Sequence, residues 1–235
     1  SIQEECNAII NSSTHELVSG CKNTVIPNSV TSIGTEAFAG CTNLTYINIP
    51  NGVISIGGEA FLNCSSLTSI NIPTGITAIN QITFSGCTSM TSIVIPESVV
   101  TIEYGSFYYC KNLTSITIPS SVTSIGENAF YGCCQLDEIH IKCSTPPSIG
   151  SNVFYDVSTN IPVHVPCGSL LSYSGWGGFT DIRGESEKVK IGSLWYLLDC
   201  DNHTATVVPE LSVPQQINSP RYSNHSCPSG NISIP

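Results

Sequence analysis

The chain has 235 residues, and only 10% of them are Asp, Glu, Lys or Arg, against about 25% in an average globular protein. Acidic residues outnumber basic ones by 17 to 7, which gives a net charge of -10. So few cations cannot form the basic surface that neutralises phosphates, so nucleic acid is excluded as an expected partner. No apolar run approaches the roughly 20 residues of a membrane-spanning helix, so the chain is not expected to span a membrane.

Residues 1–26 precede the regular part of the chain, and we predict that they form a lead-in containing one divergent repeat unit. Ile26 stands before Pro27, just as an isoleucine stands before the proline of each unit that follows. Cys21 then falls at the position where those later units have leucine. The sequence therefore predicts that Cys21 packs as a core residue of this lead-in.

Residues 27–141 are five tandem units with a period of 23 residues: 27–49, 50–72, 73–95, 96–118 and 119–141. Three of the repeated columns are Pro27, Pro50, Pro73, Pro96 and Pro119; Phe38, Phe61, Phe84, Phe107 and Phe130; and Cys41, Cys64, Cys87, Cys110 and Cys133. One such unit cannot bury its apolar residues alone, whereas stacked units share a continuous core. The period therefore predicts a β-rich solenoid.

Within each unit, the pattern Leu-x-x-Ile-x-Ile, as at 44–49, alternates apolar and polar residues at its end and predicts a strand. Stacking these strands gives a right-handed solenoid with a parallel sheet along one side. Val53 and Ile56 form a second short apolar pair, and the stretch 58–61 that follows Gly57 is predicted to be a single helical or 3₁₀ turn.

The array is predicted to extend to residue 166 through a sixth, degenerate unit. This unit has gained one residue near Pro146, and Val157 replaces the cysteine. The residues that keep the spacing of the regular units are Ile149, Phe154, Val163, Val165 and Pro166. The array as a whole is thus predicted to span 27–166.

After the array, residues 167–183 are predicted to cap its last unit, because an uncapped unit would expose apolar surface and a sheet edge. Residues 184–235 are predicted to be a small β module or the truncated start of a further array. Two β-favouring runs, 194–198 and 205–208, are separated by a polar stretch and predict a hairpin.

The unit pattern I-P-x-x-V-T-S-I-G-x-x-A-F-x-G-C-x-x-L-T-S-I resembles the BspA-like leucine-rich repeats of surface proteins from gut and oral anaerobic bacteria and some parasitic protists. The resemblance covers residues 27–166, and the flanks at 6–27 and 165–182 are similar to the lead-in and cap of such arrays. It implies a secreted, extracellular cell-surface protein that mediates adhesion or binds protein or glycan, without catalysis and without a cofactor. The implied partners are host extracellular-matrix or plasma proteins, glycans, or other bacterial surfaces.

Two other functions stay open beside adhesion. The array could be a structural spacer that presents other domains from the cell surface, or, least expected, a carbohydrate-active or metal-dependent enzyme. A nucleophile elbow, a phosphate-binding glycine loop and a zinc-protease motif are all absent from the sequence, so no catalytic residue is predicted.

The first candidate binding surface is the outward face of the predicted sheet. In each strand, the two residues that flank the central isoleucine point outward, and solenoid faces of this kind are common docking surfaces. A solvated polar ladder that keeps the sheet soluble is the alternative. The outward residues are Tyr46, Asn48, Ser69, Asn71, Ser92, Ser115, Thr117, Glu138, His140 and His164.

A possible metal site lies within this outward face. His140 and His164 share a column on adjacent strands, and Glu138 lies two residues from His140. Two imidazoles about 5 Å apart beside a carboxylate could bind a divalent ion. Two solvated histidines are the simpler interpretation, so no metal site is predicted.

The second candidate surface is a group of tyrosines in the predicted turns, at Tyr104, Tyr108, Tyr109 and Tyr131. Clustered tyrosines suit sugar stacking or a protein hot spot, although a turn also simply tolerates tyrosine.

The cysteine column is predicted to consist of free, buried thiols, because equivalent side chains of parallel stacked units point the same way. A disulfide among the cysteines outside this column stays open. Those cysteines are Cys6, Cys143, Cys167, Cys200 and Cys227.

Overall fold

The computed structural model describes residues 8–185, 188–191, 194–199 and 204–208. Within these residues the chain forms short strands and turns and no α-helix. The expectations for Cys6, Cys200 and Cys227, and for the end of the chain at 209–235, lie outside the described residues.

The described part of the chain forms seventeen strands, and most have only two to four residues. They are β1 (Ile9–Asn11), β2 (Glu16–Ser19), β3 (Ser32–Ile33), β4 (Tyr46–Ile47), β5 (Ser55–Ile56), β6 (Ser69–Ile70), β7 (Ala78–Ile79), β8 (Thr101–Ile102), β9 (Ser115–Ile118), β10 (Ser124–Ile125), β11 (Glu138–Ile141), β12 (Ser148–Ile149), β13 (Val163–Pro166), β14 (Ile182–Glu185), β15 (Lys188–Ile191), β16 (Leu194–Asp199) and β17 (Thr204–Val208).

The strands of the array pair in parallel between successive units, which confirms the solenoid and its period. Ile116 of β9 faces Ile139 of β11, one period later, and Ile33 faces Ile56 in the same way. A column of equivalent residues therefore runs straight along the stack. The predicted fold class, a β-rich solenoid with parallel pairing and a 23-residue period, is confirmed.

Each unit contributes to two strand ladders, whereas the sequence predicted only one. The predicted Leu-x-x-Ile-x-Ile ladder contains β4, β6, β9, β11 and β13, with an isolated parallel bridge between Asn71 and Val94. The second ladder is built from β3, β5, β7, β8, β10 and β12, which contain the Ser-Ile pair, or its equivalent, before the turn. Backbone hydrogen bonds therefore fix the apolar columns of both ladders.

The turn after the second ladder is a succession of β-turns, so the predicted helical or 3₁₀ turn at 58–61 is wrong. Glu59 has φ 59° and Asn63 has φ 58°, one on each side of Phe61. Left-handed residues four positions apart interrupt a helix, and the amide of every second residue between 59 and 63 faces the next unit. The Phe61 N–H, for example, donates to the Thr83 carbonyl at 2.9 Å.

The core is one continuous stack along the array. Phenylalanines of neighbouring units lie parallel, with ring centroids 5.1 to 5.6 Å apart from Phe38 to Phe154. Beside them lie the predicted free thiols, and from Cys64 to Cys133 each thiol donates to the phenylalanine carbonyl of the preceding unit. The Cys64 thiol donates to Phe38 at 3.1 Å and the Cys133 thiol to Phe107 at 3.3 Å. Burial raises the pKa of both thiols to about 12.

Two other cysteines depart from what the sequence indicated. Cys21 is half-buried and disulfide-bonded, so its predicted role as a core residue is wrong. The spacing placed Cys21 in the leucine column, but it lies in a segment where β1 and β2 pair antiparallel and no regular unit forms. Cys167 is also disulfide-bonded, while Cys143 is a free, buried thiol.

The last unit is covered by aromatic residues from the segment that follows it. Trp176 and Phe179 contact Phe154 edge to face, at centroid distances of 5.4 and 5.1 Å. The buried Tyr173 hydroxyl donates to the Cys143 carbonyl at 2.7 Å. After this segment, β14 pairs in parallel with β13 and continues the first ladder beyond residue 166.

The predicted C-terminal hairpin is confirmed, with one strand more than the sequence indicated. β16 and β17 pair antiparallel, and β15 pairs antiparallel with the other side of β16. The division of the chain at residues 26, 166 and 183 stays a prediction.

Candidate functional site

The outward face of the first ladder has the geometry that the alternating pattern predicts. Central isoleucines such as Ile47 and Ile139 are buried, while the residues on either side of them are exposed or half-buried. Tyr46 lies beside Ser69, and Val94, the apolar exception in its column, is 79% exposed. The exposed candidates are Tyr46, Asn48, Ser69, Asn71 and Ser92, and the half-buried ones are Ser115, Thr117, Glu138, His140 and His164.

At one end of this face the two histidines come together as the period predicts. His140 lies in register with His164, and their rings stack with centroids 4.6 Å apart. Nε2 of His140 lies 3.4 Å from Oε2 of Glu138. Ligand atoms of these three residues lie within 4.8 Å of one another.

The structure adds a residue to this cluster that the sequence analysis missed. Oε1 of Glu185, on β14, lies 2.7 Å from Nδ1 of His140. Glu185 follows the segment that covers the last unit with Trp176 and Phe179. In β14, Gly184 lies opposite Val165, so this strand lacks an apolar residue that the other strands of the ladder have there. No spacing in the sequence therefore relates Glu185 to His140.

An ion pair lies beside the cluster. The Arg183 guanidinium donates to both carboxylate oxygens of Asp181, at 2.8 and 2.6 Å, and this hydrogen bonding holds the Asp181 pKa below its usual value. Arg183 lies in register with His164 on the neighbouring strand, so this ion pair borders the histidines.

On the turns, the structure arranges tyrosines as a second ladder outside the phenylalanine stack. We call Tyr108, Tyr131 and Tyr155 the tyrosine ladder. Their rings stack at centroid distances of 5.0 and 4.7 Å, and Tyr155 is 53% exposed. Tyr155 was not among the predicted residues, although it follows Phe154 just as Tyr131 follows Phe130.

Tyr104 and Tyr109, the other two predicted tyrosines, flank this ladder. Tyr109 contacts Tyr108 edge to face at 4.6 Å, and Nζ of Lys111 lies 5.2 Å from the Tyr109 ring centroid. Tyr104 is 47% exposed and, more weakly than Tyr109, contributes to a raised pKa of Tyr108. We call the five tyrosines together the tyrosine patch.

Two phenols of the ladder have raised pKa values. Burial raises the pKa of Tyr108 and of Tyr131, and the Tyr109 hydroxyl adds to both shifts. A phenol hydroxyl both donates and accepts hydrogen bonds, so the patch presents such groups beside apolar ring edges. Such a surface can bind a ligand.

One residue of the patch has an unfavourable backbone conformation. Tyr109 has φ 56° at a position where the other units have glycine, asparagine or aspartate. A tyrosine in the left-handed region costs about 1–2 kcal/mol. The next unit leaves room for its ring, since a Cβ added at Gly132 would lie 2.7 Å from Cδ1 of Tyr109.

A cavity of about 350 Å³ lies between Tyr155 and the covering segment. Glycines at 175, 177 and 178 line it opposite the tyrosine. The tyrosine ladder thus ends, at Tyr155, beside this cavity.

Comparisons with known proteins agree with this architecture. The family model for the BspA type leucine rich repeat region matches in six copies, over residues 8–135 and 77–179. No curated protein is similar enough in sequence to be counted as a relative. Within the described part of the chain, no helix has the length and apolar character needed to cross a membrane.

Two solved structures share the fold. The leucine rich repeat protein of T. pallidum is 24% identical, with a TM-score of 0.55, and the match covers 67% of this chain and 90% of that one. A leucine rich cell surface protein from Faecalibacterium prausnitzii is 22% identical, with a TM-score of 0.51, and the match covers 86% of this chain and 59% of the other. This chain thus spans less than two thirds of the second protein.

The family model covers well over half of the chain, and both structures have the same repeat fold. The chain belongs to the BspA-type leucine-rich repeat family.

Proposed function

We propose that this chain is a non-catalytic binding module of a secreted, cell-surface adhesion protein, and that the tyrosine patch contacts its ligand. The observation that carries this proposal is the stacking of three tyrosines, two half-buried and one exposed, on the last three units. Membership of a repeat family that commonly binds proteins supports it, as does the description of the F. prausnitzii protein as a cell surface protein.

The tyrosines are not needed to build the fold. At the same position the first three units have Ala39, Leu62 and Ser85, and their phenylalanines stack in the same way. The phenylalanine column fills the core without the tyrosines, which lie outside it and remain partly exposed. Side chains that are dispensable for packing and yet clustered point to a role in recognition.

Tyr109 supports the same conclusion. Its left-handed backbone costs stability that a glycine would avoid, and the neighbouring unit makes space for its ring with Gly132. Strain of this kind, beside a cluster of exposed aromatics, suggests a functional constraint. Tyrosine supplies a large, rigid contact area together with a hydroxyl, which is why it is enriched at binding hot spots.

The ligand that we propose is a protein or a glycan of a host matrix, of plasma or of another bacterial surface. The outward face, from Tyr46 to His164, is a second candidate contact surface. A spacer that only presents other domains has no need of either surface, so binding experiments separate the two functions.

An array of immobilised matrix proteins, plasma proteins and glycans tests this proposal. We expect the full chain to bind at least one component, and the Tyr108→Ala, Tyr131→Ser, Tyr155→Ala triple variant to bind it at least tenfold more weakly. These replacements give the last three units the kind of residue that the first three have, so the fold should be kept. Undiminished binding by the triple variant would contradict the assignment to the patch.

A matched variant of the outward face serves as the control. Tyr46→Ala removes an exposed tyrosine from the first unit, outside the tyrosine patch. If this variant loses binding and the triple variant does not, the ligand contacts the outward face instead. If the unmodified chain binds nothing on the array, the spacer function is favoured.

A further inference from the structure

We infer that Glu138, His140 and His164 form a divalent cation site, and that Glu185 is a positioning residue that orients His140. The site lies at the end of the outward face, on β11, β13 and β14, which pair in parallel and in register. It lies apart from the tyrosine patch, and the inference does not require the proposed adhesion function.

The contact with Glu185 sets which nitrogen of His140 carries a proton. A carboxylate only accepts hydrogen bonds at neutral pH, so the 2.7 Å contact requires His140 to donate from Nδ1. In the neutral imidazole, Nε2 then has a lone pair and no hydrogen. That nitrogen is the one that faces Glu138.

The opposite side of the ring therefore brings two acceptors together. Nε2 of His140 and Oε2 of Glu138 lie 3.4 Å apart, and in the neutral form of the imidazole neither atom has a hydrogen to donate to the other. Such a pair is repulsive unless a cation lies between the two atoms. A second proton on His140 would satisfy the pair, and so would a metal ion, which the stacked imidazole of His164 could also bind.

The arrangement is the one found around metal-binding histidines. A ligand histidine usually donates its other N–H to a carboxylate, which fixes the ring and makes the free nitrogen more basic. Two imidazole nitrogens with one carboxylate oxygen suit Zn²⁺ better than Ca²⁺ or Mg²⁺, which prefer oxygen ligands. A fourth position is left for water or for a ligand.

The surroundings permit an ion to enter and to stay. The side chains of His140, Glu138 and Glu185 are between a third and a half exposed, so the site opens to solvent. Ligands of tetrahedral Zn²⁺ lie about 3.3 Å apart, so atoms now within 4.8 Å must close by up to about 1.5 Å.

Calorimetric titration of the full chain with Zn²⁺ at pH 7.5 tests the inference. Cys134 is an exposed, free thiol that could bind zinc itself, so every protein has the Cys134→Ser substitution. We expect a binding event that is at least tenfold weaker in the His140→Thr, His164→Thr double variant. Thr117 occupies the same column one unit earlier, so threonine fits both positions. His15→Asn, at an exposed histidine of the lead-in with φ 56°, is the control and should bind as the parent does, because asparagine tolerates a left-handed backbone.

Glu185→Gln separates orientation from simple packing. We expect zinc binding to fall by about 10- to 100-fold, and the nitrogen NMR signals of His140 to change from one tautomer to a mixture. Absence of zinc binding at pH 7.5, or binding that is equally strong in the double histidine variant, would overturn the site. An unchanged His140 tautomer in Glu185→Gln would overturn the role of Glu185.

Discussion

The first three units and the last three units of the array share their buried residues and differ in their exposed ones. Phe38 and Phe107 occupy equivalent places in one stack, and both are fully buried. The residue after each buried phenylalanine is Ala39, Leu62 or Ser85 in the first half, and Tyr108, Tyr131 or Tyr155 in the second. The outward column changes in the same direction, from Asn48, Asn71 and Val94 to Thr117, His140 and His164.

This difference separates residues that maintain the fold from residues that are free to acquire a function. The hydrogen bonds of the turns and the phenylalanine stack recur from unit to unit, so the first half is an internal control for the second. What the second half adds, the tyrosine patch and the histidine cluster, lies on an unchanged scaffold. Substitutions at equivalent positions of the two halves can therefore test whether the additions also contribute to stability.

The largest expected effect is the loss of a stacked phenylalanine. We expect Phe61→Ala and Phe107→Ala each to lower the free energy of unfolding by about 3–5 kcal/mol, because each leaves a cavity in the same stack. Urea unfolding followed by circular dichroism measures both values. If Phe107→Ala lost much less stability than Phe61→Ala, the tyrosines would be supporting the core. The two halves would then not share an equivalent scaffold.

A smaller effect is the loss of stability at high pH. It should be equal in the two halves, because their buried thiols are alike. Burial raises the pKa of Cys64 and of Cys133 from 9.0 to about 12, so the folded chain keeps protons that the unfolded chain loses. Stability is therefore fully present below pH 9 and falls as the pH rises toward 12. Between pH 8 and pH 10 the expected loss is about 1.4 kcal/mol for each buried thiol.

Urea unfolding at pH 8 and pH 10 measures this dependence, with Cys64→Ala and Cys133→Ala as matched variants. Each variant should reduce the pH-dependent loss by the amount of one thiol. A variant whose loss between the two pH values equals that of the parent would show that the thiol is not protected as the structure indicates.

The smallest effect is the loss of stability caused by Gly→Ala in the turns, and it should differ between the first and the second half of the array. Gly40 and Gly132 have φ 72° and 73°, so Gly→Ala at either costs about 1 kcal/mol for the left-handed backbone. A Cβ at Gly40 meets nothing within 4 Å, whereas one at Gly132 meets the Tyr109 ring. We expect Gly132→Ala to cost at least 0.5 kcal/mol more than Gly40→Ala, by coupling to a residue in contact.

A double-mutant cycle with Tyr109→Gly isolates that coupling. Glycine occupies the equivalent position in the first and third units, at residues 40 and 86, adopts the same φ and has no side chain to meet the new Cβ. In this background, the extra cost of Gly132→Ala should disappear. If the extra cost persists, the contact between the ring and the glycine does not explain it.

The sequence predicted the features that recur and missed those that occur once. The period, the strands and the column of free thiols were predicted because each recurs five times, and register converts a column in sequence into a column in space. Both Cys21 and Glu185 lie outside the regular array. Neither position has an equivalent in a regular unit, so spacing alone could not show that Cys21 is bridged or that Glu185 reaches His140.

The turn conformation could not be predicted for a different reason. Glu36, Glu59 and Ile82 have left-handed φ although none of them is glycine or asparagine. Nothing in their side chains favours this conformation. It is imposed by the next unit, whose carbonyls accept the alternate amides, so the preference is cooperative and is invisible in any single unit.

The inter-unit hydrogen bonds also make the length of the array adjustable. Each unit presents the same amides to the unit after it and the same carbonyls to the unit before it, as in the bond from Phe61 to Thr83. A duplicated copy of the second unit could be inserted beside the original, and both neighbours would keep their partners. Each insertion would move the lead-in about 4.8 Å farther from the tyrosine patch, so gene duplication could change the reach of this protein without altering what it recognises.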